Sequence, residues 1–193
     1  MRELSLHILD VMENSVEAGA TQIRLSIEED CRADTLIITV EDNGRGMSED
    51  LVQKVLDPFT TTRASRHVGL GLPLFAAAAD RCQGRLRVQS QPNVGTTVIA
   101  IFQHSHVDRA PLGDMIGTLM AVLLSEHPVD VRYRHTVDDR TFVLDTAEVR
   151  QELEGVPLWH PLVRQWLECT LTEGLAALGS PEVRLHSPGA NAG

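Results

Sequence analysis

Lysine is almost missing from this chain. Lys54 is the only one among 17 basic residues, and arginine makes up the rest. Arginine forks well onto phosphate or carboxylate, but a genome-wide composition bias explains the preference equally well, so it assigns no partner. Cysteine is scarce too. Cys31, Cys82 and Cys169 are odd in number, far apart and in no CxxC pair. That excludes a disulfide framework or a thiol-based zinc site and fits a reducing compartment. Long apolar runs are absent: none approaches the ~18 residues of a membrane span. The opening Met1-Arg2-Glu3 lacks the charged-then-apolar layout of a secretory leader. The expectation is a soluble, cytoplasmic protein. Positive charge is also in deficit. A net charge of −10 repels phosphate backbones, so neither nucleic acid nor a membrane is expected as the main partner.

What remains is an ordinary globular chain. With 193 residues and 42% hydrophobic content it can build a core for one large domain, or for a medium domain and a small one. Ile8, Leu9, Val11, Met12 and Val16 share one face of a helix running from a Ser5 cap to about residue 18, where Gly19 stops it. His7, Asp10, Glu13, Asn14 and Glu17 occupy the polar side, and Asp10 and Asn14 stack as an i, i+4 pair. Alternating Ile23, Leu25 and Ile27 predict a strand over 21–29, and a turn and a second strand over 35–41 follow. A short helix begins after Ser48 and stops at Asp57-Pro58. Residues 59–68 hold hydroxyls and arginines without an apolar period and read as a mobile loop. A helix over 69–82, a strand over 85–90, a turn and a strand over 96–103 complete the first unit.

The order helix–strand–strand–helix–loop–helix–strand–strand predicts an α/β (α+β) two-layer sandwich, with a mixed sheet and helices on one face. Residues 1–104 form this domain and 105–110 a linker. Residues 111–182 are expected to form a small α+β unit of unknown role, with a helix over 112–125, a hairpin across Val137-Asp138-Asp139, a short helix and a final helix over 161–178. Residues 183–193 read as a tail. His104 and His106 lack further ligands at metal-binding spacing, and the chain's histidines are read as surface residues.

The chemistry-bearing pieces gather in the first unit. Asp10 and Asn14 lie on a helix. Asp42-Asn43-Gly44-Arg45-Gly46-Met47 closes a strand, where glycines let a flat group approach the backbone and a carboxylate can accept from an amino group. Pro58-Phe59-Thr60-Thr61-Thr62-Arg63 lies in the loop. Gly69-Leu70-Gly71-Leu72 opens a helix whose free N–H groups suit phosphate. Gly95-Thr96-Thr97 opens the last strand. Singly each motif is common.

Together, in this order, they make residues 1–103 resemble the GHKL ATPases, whose ATP-binding domain is the Bergerat-type fold. The segment from Pro58 to Thr97 looks most like a histidine kinase, and the segment from Glu13 to Thr21 more like a mismatch-repair ATPase. The resemblance implies ATP and Mg²⁺ as cofactors. It makes Asn14 the Mg²⁺ ligand between the phosphates, Asp42 the acceptor of the adenine amino group and Thr97 its assistant. Gly44, Gly46 and Met47 would shape the adenine slot, and residues 59–68, with Thr62 and Arg63 or Arg66, would form a lid over the γ-phosphate. Gly69, Leu70, Gly71 and Leu72 would wrap the triphosphate. Two departures stand out. The catalytic position four before the asparagine holds Asp10 instead of glutamate, one methylene shorter. The position three after it holds Glu17, where kinases carry a basic residue.

No histidine sits in the phospho-acceptor motif of the kinases, so a transferred phosphate would go to a separate, unidentified protein. The resemblance therefore implies a protein kinase acting on a partner, a weak ATPase working as a conformational switch, or a nucleotide sensor without turnover. A homodimer is compatible with each.

Overall fold

The computed structural model describes residues 2–55 and 71–179. Six strands form one mixed sheet in the order β3-β4-β2-β1-β5-β6. They are β1 (Gln22–Asp30), β2 (Thr35–Asp42), β3 (Arg85–Gln91), β4 (Gly95–Gln103), β5 (Asp130–Val137) and β6 (Arg140–Asp145). All neighbours are antiparallel except β1 and β5, which run parallel with Gln22 opposite Asp130 and Glu29 opposite Val137. The expected C-terminal unit is α+β, and its two strands extend the first unit's sheet instead of forming one of their own.

Strand alternation divides the sheet's faces cleanly. Ile23, Leu25, Ile27, Leu36, Ile38, Val40, Val98, Ala100, Phe102, Val131 and Tyr133 point inward and are buried. Their neighbours Arg24, Glu28, Glu41, Arg132 and Arg134 are exposed on the other face. The long helices α1 (Leu4–Glu17), α3 (Gly71–Arg81), α4 (Met115–Leu123) and α6 (Pro161–Leu178) cover the inner face, with α2 (Glu49–Val55) and α5 (Thr146–Glu152) as short connectors. On α6 the periodic Leu167, Leu171 and Leu175 are buried, whereas Leu162 and Trp166 stay exposed.

Three local readings change. Ser5 does not cap α1. The cap position is Glu3, which makes no side-chain cap bond, and Ser5 is buried inside the helix. The N–H groups of Leu4 and Ser5 donate instead to the carbonyls of Pro111 and Leu112 at 2.9 and 2.8 Å. The helix start is therefore satisfied by distant backbone, which local sequence cannot reveal. His7 is not on the surface either. It is buried and stacks on Phe75 with ring centroids 4.9 Å apart. Its pKa falls to about 4 because burial disfavours the imidazolium, with the positive N-terminus and Arg81 adding to the effect. His104 and His135 meet the buried carboxylate of Glu29, at 3.0 and 2.7 Å, and the hydroxyl of Tyr133 lies 2.9 Å from His135 Nδ1.

Candidate functional site

A cavity of about 140 Å³ opens between the C-terminal half of α1, the ends of β2 and β4, and the first turn of α3. Its floor is a carboxylate. Asp42 ends β2, directly opposite Thr96 on β4. Its Oδ2 accepts from the Ser15 hydroxyl at 2.8 Å, and its Oδ1 accepts from the N–H groups of Gly44 at 2.8 Å and Thr96 at 3.3 Å. An ionised carboxylate has about four acceptor sites. These three donors leave capacity for one more, and Asp42 lines the cavity.

The glycines hold the floor's shape. Gly46 has φ +62°, and a Cβ there would run into the carbonyl of Gln91. Gly95 has φ +136°, and a Cβ there would strike the carbonyl of Asp42. Only a residue without Cβ allows the loop after β2 to lie against the turn between β3 and β4. That closure is bonded at several points. Asn93 N–H donates to Arg45 O at 2.7 Å, and Arg45 N–H to Ala18 O at 3.0 Å. Met47 N–H donates to the Ser90 hydroxyl at 2.8 Å, which is itself 2.9 Å from Thr96 Oγ1.

The walls are mostly apolar: Val11, Met47, Leu51, Val55, Leu72 and Val98 face the space, with Asn14 and Glu17 on the α1 side. A flat, weakly polar group fits such a slot, anchored by one polar contact at its base. Farther along α1, Asp10 is half-buried, and burial raises its pKa. Gly71, first residue of α3, sits so close that a Cβ there would lie 3.2 Å from Asp10 Oδ2. The first described residue of α3 therefore abuts the acid.

The expected residues divide as follows. Asn14, Asp42, Gly46, Met47 and Leu72 line the cavity, Gly44 packs behind Asp42 against Ala18, and Asp10 and Gly71 meet beside it. Thr97 does not reach it. It follows the alternation of β4 onto the outer face, between Glu41 and Gln89, and Thr96 takes the position beside Asp42. Thr62, Arg63, Gly69 and Leu70 lie outside the described residues. Sequence reasoning missed Ser15 and Ser90. Ser15 had a signal, since it follows Asn14 on the helix edge that turns toward the sheet; Ser90 had none.

Among the described residues no cluster of histidine, cysteine and acid side chains has the makings of a metal site. No described helix is long and apolar enough to cross a membrane.

Known proteins carry the same region. The chain is 37% identical over 95 residues to the signal transduction histidine-protein kinase AtoS of Escherichia coli, 49% of this chain and 16% of that one. It is 36% identical over 94 residues to the sensor protein kinase FleS of Pseudomonas aeruginosa, 49% of this chain and 23% of that one. A probable C4-dicarboxylate sensor kinase of Halalkalibacterium halodurans is 32% identical over 101 residues, 49% of this chain and 19% of that one. The chain thus spans less than a quarter of the length of these curated relatives. Among solved structures, the N-terminal domain of a DNA repair protein superposes on 75% of this chain and 53% of that one, at 14% identity and a TM-score of 0.46. The family described as histidine kinase-, DNA gyrase B-, and HSP90-like ATPases matches residues 2–106, just over half of the chain and all of the cavity's walls. The chain belongs to that family.

Proposed function

We propose that this protein binds ATP with Mg²⁺ in the cavity above Asp42 and passes the γ-phosphate to a separate protein. One observation carries the reading: a carboxylate with spare acceptor capacity lies at the floor of an apolar slot, while the amide of Asn14 and the acid of Asp10 lie along α1 toward α3. Asp42 accepts the adenine amino group, with Ser15 and Thr96 fixing its orientation. The donor chemistry fits the metal, because Asn14 offers a neutral oxygen, a suitable hard ligand for an ion that keeps most of its waters. Mg²⁺, when bound, screens the phosphate charge. The amides at the start of α3 face that charge as well. Asp10 orients the attacking hydroxyl or imidazole and accepts its proton, and its raised pKa strengthens it as a base. The chain's acidic surface supports a protein acceptor over nucleic acid.

A second reading has its own support. The first N–H groups of α1 are bonded to Pro111 and Leu112, so a shift of the helix that carries Asp10 and Asn14 pulls on the C-terminal unit. A weak ATPase working as a switch would use that connection. Incubation with γ-labelled ATP, with and without lysate of the native host, separates the two. Label on another protein is the expected result, and free phosphate alone favours the switch. Asp10→Asn is expected to spare ATP binding and to lower turnover at least about 100-fold; undiminished turnover removes Asp10 from the mechanism.

A further inference from the structure

The hydrogen bonds under the cavity fix protons as well as positions. Asp42, Thr96 and Ser90 form a row across β2, β4 and β3, with Asp42 opposite Thr96 and Thr96 opposite Ser90. Asp42 and Thr96 line the cavity, and Ser90 stands one place behind them. The Ser90 hydroxyl has one proton to give and meets three polar atoms among the described residues. The Gly95 carbonyl, 2.9 Å away, can only accept, and the Met47 N–H, 2.8 Å away, can only donate. The proton therefore goes to Gly95, and a lone pair receives Met47. The third atom, Thr96 Oγ1 at 2.9 Å, is then the donor of its contact with Ser90. With its only proton turned back toward Ser90, Thr96 offers the cavity lone pairs alone. Ser15 is committed in the same way, because its two partners, Asp42 Oδ2 at 2.8 Å and Val11 O at 3.1 Å, are both acceptors. The three polar side chains at the floor, Asp42, Thr96 and Ser15, thus present acceptors and no donor.

We propose that Ser90 is a positioning residue for base selection: by holding the proton of Thr96 away from the ligand, it makes the site choose 6-aminopurine over 6-oxopurine nucleotides. This inference rests on the ATP-binding reading above. Asp42 alone does not make the choice. Adenine gives a carboxylate an N–H of its 6-amino group, but hypoxanthine can give the same carboxylate its ring N1–H. The neighbouring acceptor decides between them. A primary amino group has two N–H donors, one for Asp42 and one for Thr96. A 6-oxopurine that turns N1–H toward Asp42 leaves O6 against the lone pairs of Thr96, inside a slot whose walls are mostly apolar. An acceptor facing an acceptor where water is excluded loses the full cost of its desolvation. Without Ser90, Thr96 is free to rotate and donate to O6, and the penalty on the 6-oxopurine is relieved.

The test titrates the full chain, as wild type, Ser90→Ala, Ser90→Thr and Thr96→Val, with ATP and with inosine triphosphate in the presence of Mg²⁺, reading Kd by calorimetry. Wild type is expected to bind ATP roughly 100-fold more tightly than the inosine nucleotide. Ser90→Ala narrows that ratio to about tenfold or less, by weakening ATP while inosine triphosphate holds or gains. Ser90→Thr keeps a hydroxyl at the position and restores the wild-type ratio. A merely structural loss would weaken both nucleotides alike and leave the ratio where it was. Thr96→Val removes the second acceptor and leaves the bonds of Ser90 to Met47 and Gly95 in place, so it is expected to narrow the ratio as well and decides the question if Ser90→Ala does not fold. Equal wild-type affinities, or an unchanged ratio in either folded variant, overturn the role of Ser90 and leave the nucleotide site standing. No binding of either nucleotide to wild type, or ATP affinity indifferent to Asp42→Asn, overturns the ATP reading itself.

Discussion

The inner face of the sheet holds an acid at each end, and the two are treated differently. Glu29, near the end of β1, is 2% exposed, and the imidazoles of His104 and His135 each take one of its oxygens. His135 in turn has Tyr133 on its other nitrogen. Asp42, at the end of β2, is bonded to Ser15, Gly44 and Thr96 and still faces open space. A buried carboxylate whose oxygens both meet imidazoles orders the parts that surround it. One held rigidly with an acceptor site left over is preorganised for a visitor. The Glu29 group joins β1, the segment after β4 and β5, so it ties the two halves of the chain. The Asp42 group lies wholly within the first half.

Exchanging each acid for its amide is the strongest way to break this contrast. Asp42→Asn puts an NH₂ where the adenine amino group needs an acceptor, so ATP affinity is expected to fall roughly 100-fold or more. The Asn oxygen can still serve Gly44 and Thr96, so stability should change by less than about 1 kcal/mol. Glu29→Gln leaves one buried imidazole N–H facing another donor and is expected to cost about 3 kcal/mol of stability. ATP affinity of the folded fraction should stay unchanged. Paired denaturant melts and ATP titrations decide it, and a Glu29→Gln protein that keeps full stability would erase the distinction.

His7 sharpens the comparison from a third position. It is a buried base whose Nδ1 has no hydrogen-bond partner among the described residues, unlike the imidazoles around Glu29. Its pKa is about 4 in the folded chain against an ordinary 6.5, so the unfolded chain binds the extra proton between those values. Stability from neutral His7 is complete above pH 6.5 and drains away as pH falls toward 4. The loss is about 3 kcal/mol at most. Replacing His7 by Phe, which keeps the stacking on Phe75, should flatten the stability profile in that window. A profile with the same slope as wild type would assign the acid sensitivity to other groups.

How much of this was legible in the sequence follows from range. The helix–strand order was readable, because local periodicity and turn glycines are written in adjacent residues, whereas the clustering of Asn14, Asp42, Gly46, Met47 and Leu72 came from the resemblance of the motifs, taken in order, to the GHKL ATPases. The start of α1 was not readable, since its N–H groups are met by residues 111 and 112, more than a hundred positions away. The joining of β5 to β1 was equally hidden, as parallel pairing leaves no turn to mark it. His7 and His104 were misread for one reason: polarity suggested solvent, and an aromatic neighbour or a buried acid can be found only in three dimensions. Ser90 sits in a strand that reads as an ordinary edge, with nothing local to connect it to Met47.

The smallest expected effect tests the finest part of the reading, the choice between two adjacent threonines. Period-2 alternation allows only one of Thr96 and Thr97 to share the face of Val98 and Asp42. Thr96 does so, with its hydroxyl 2.9 Å from that of Ser90 and its N–H on Asp42. Thr97 faces outward between Glu41 and Gln89. Thr96→Val keeps the shape and the N–H but removes the hydroxyl, so ATP should bind roughly tenfold more weakly. Thr97→Val should alter ATP affinity by less than about twofold, because a surface substitution away from the slot acts on little else. The measurement is a pair of titrations under identical Mg²⁺. The reverse order would mean that β4 is shifted by one residue against β2, and a shift of one would turn every inward side chain of β4 to the outside. Val98, Ala100 and Phe102 are buried in this register, so such a slip would expose them all. The core packing therefore holds Thr96 beside Asp42 at the floor of the slot more firmly than the motif does.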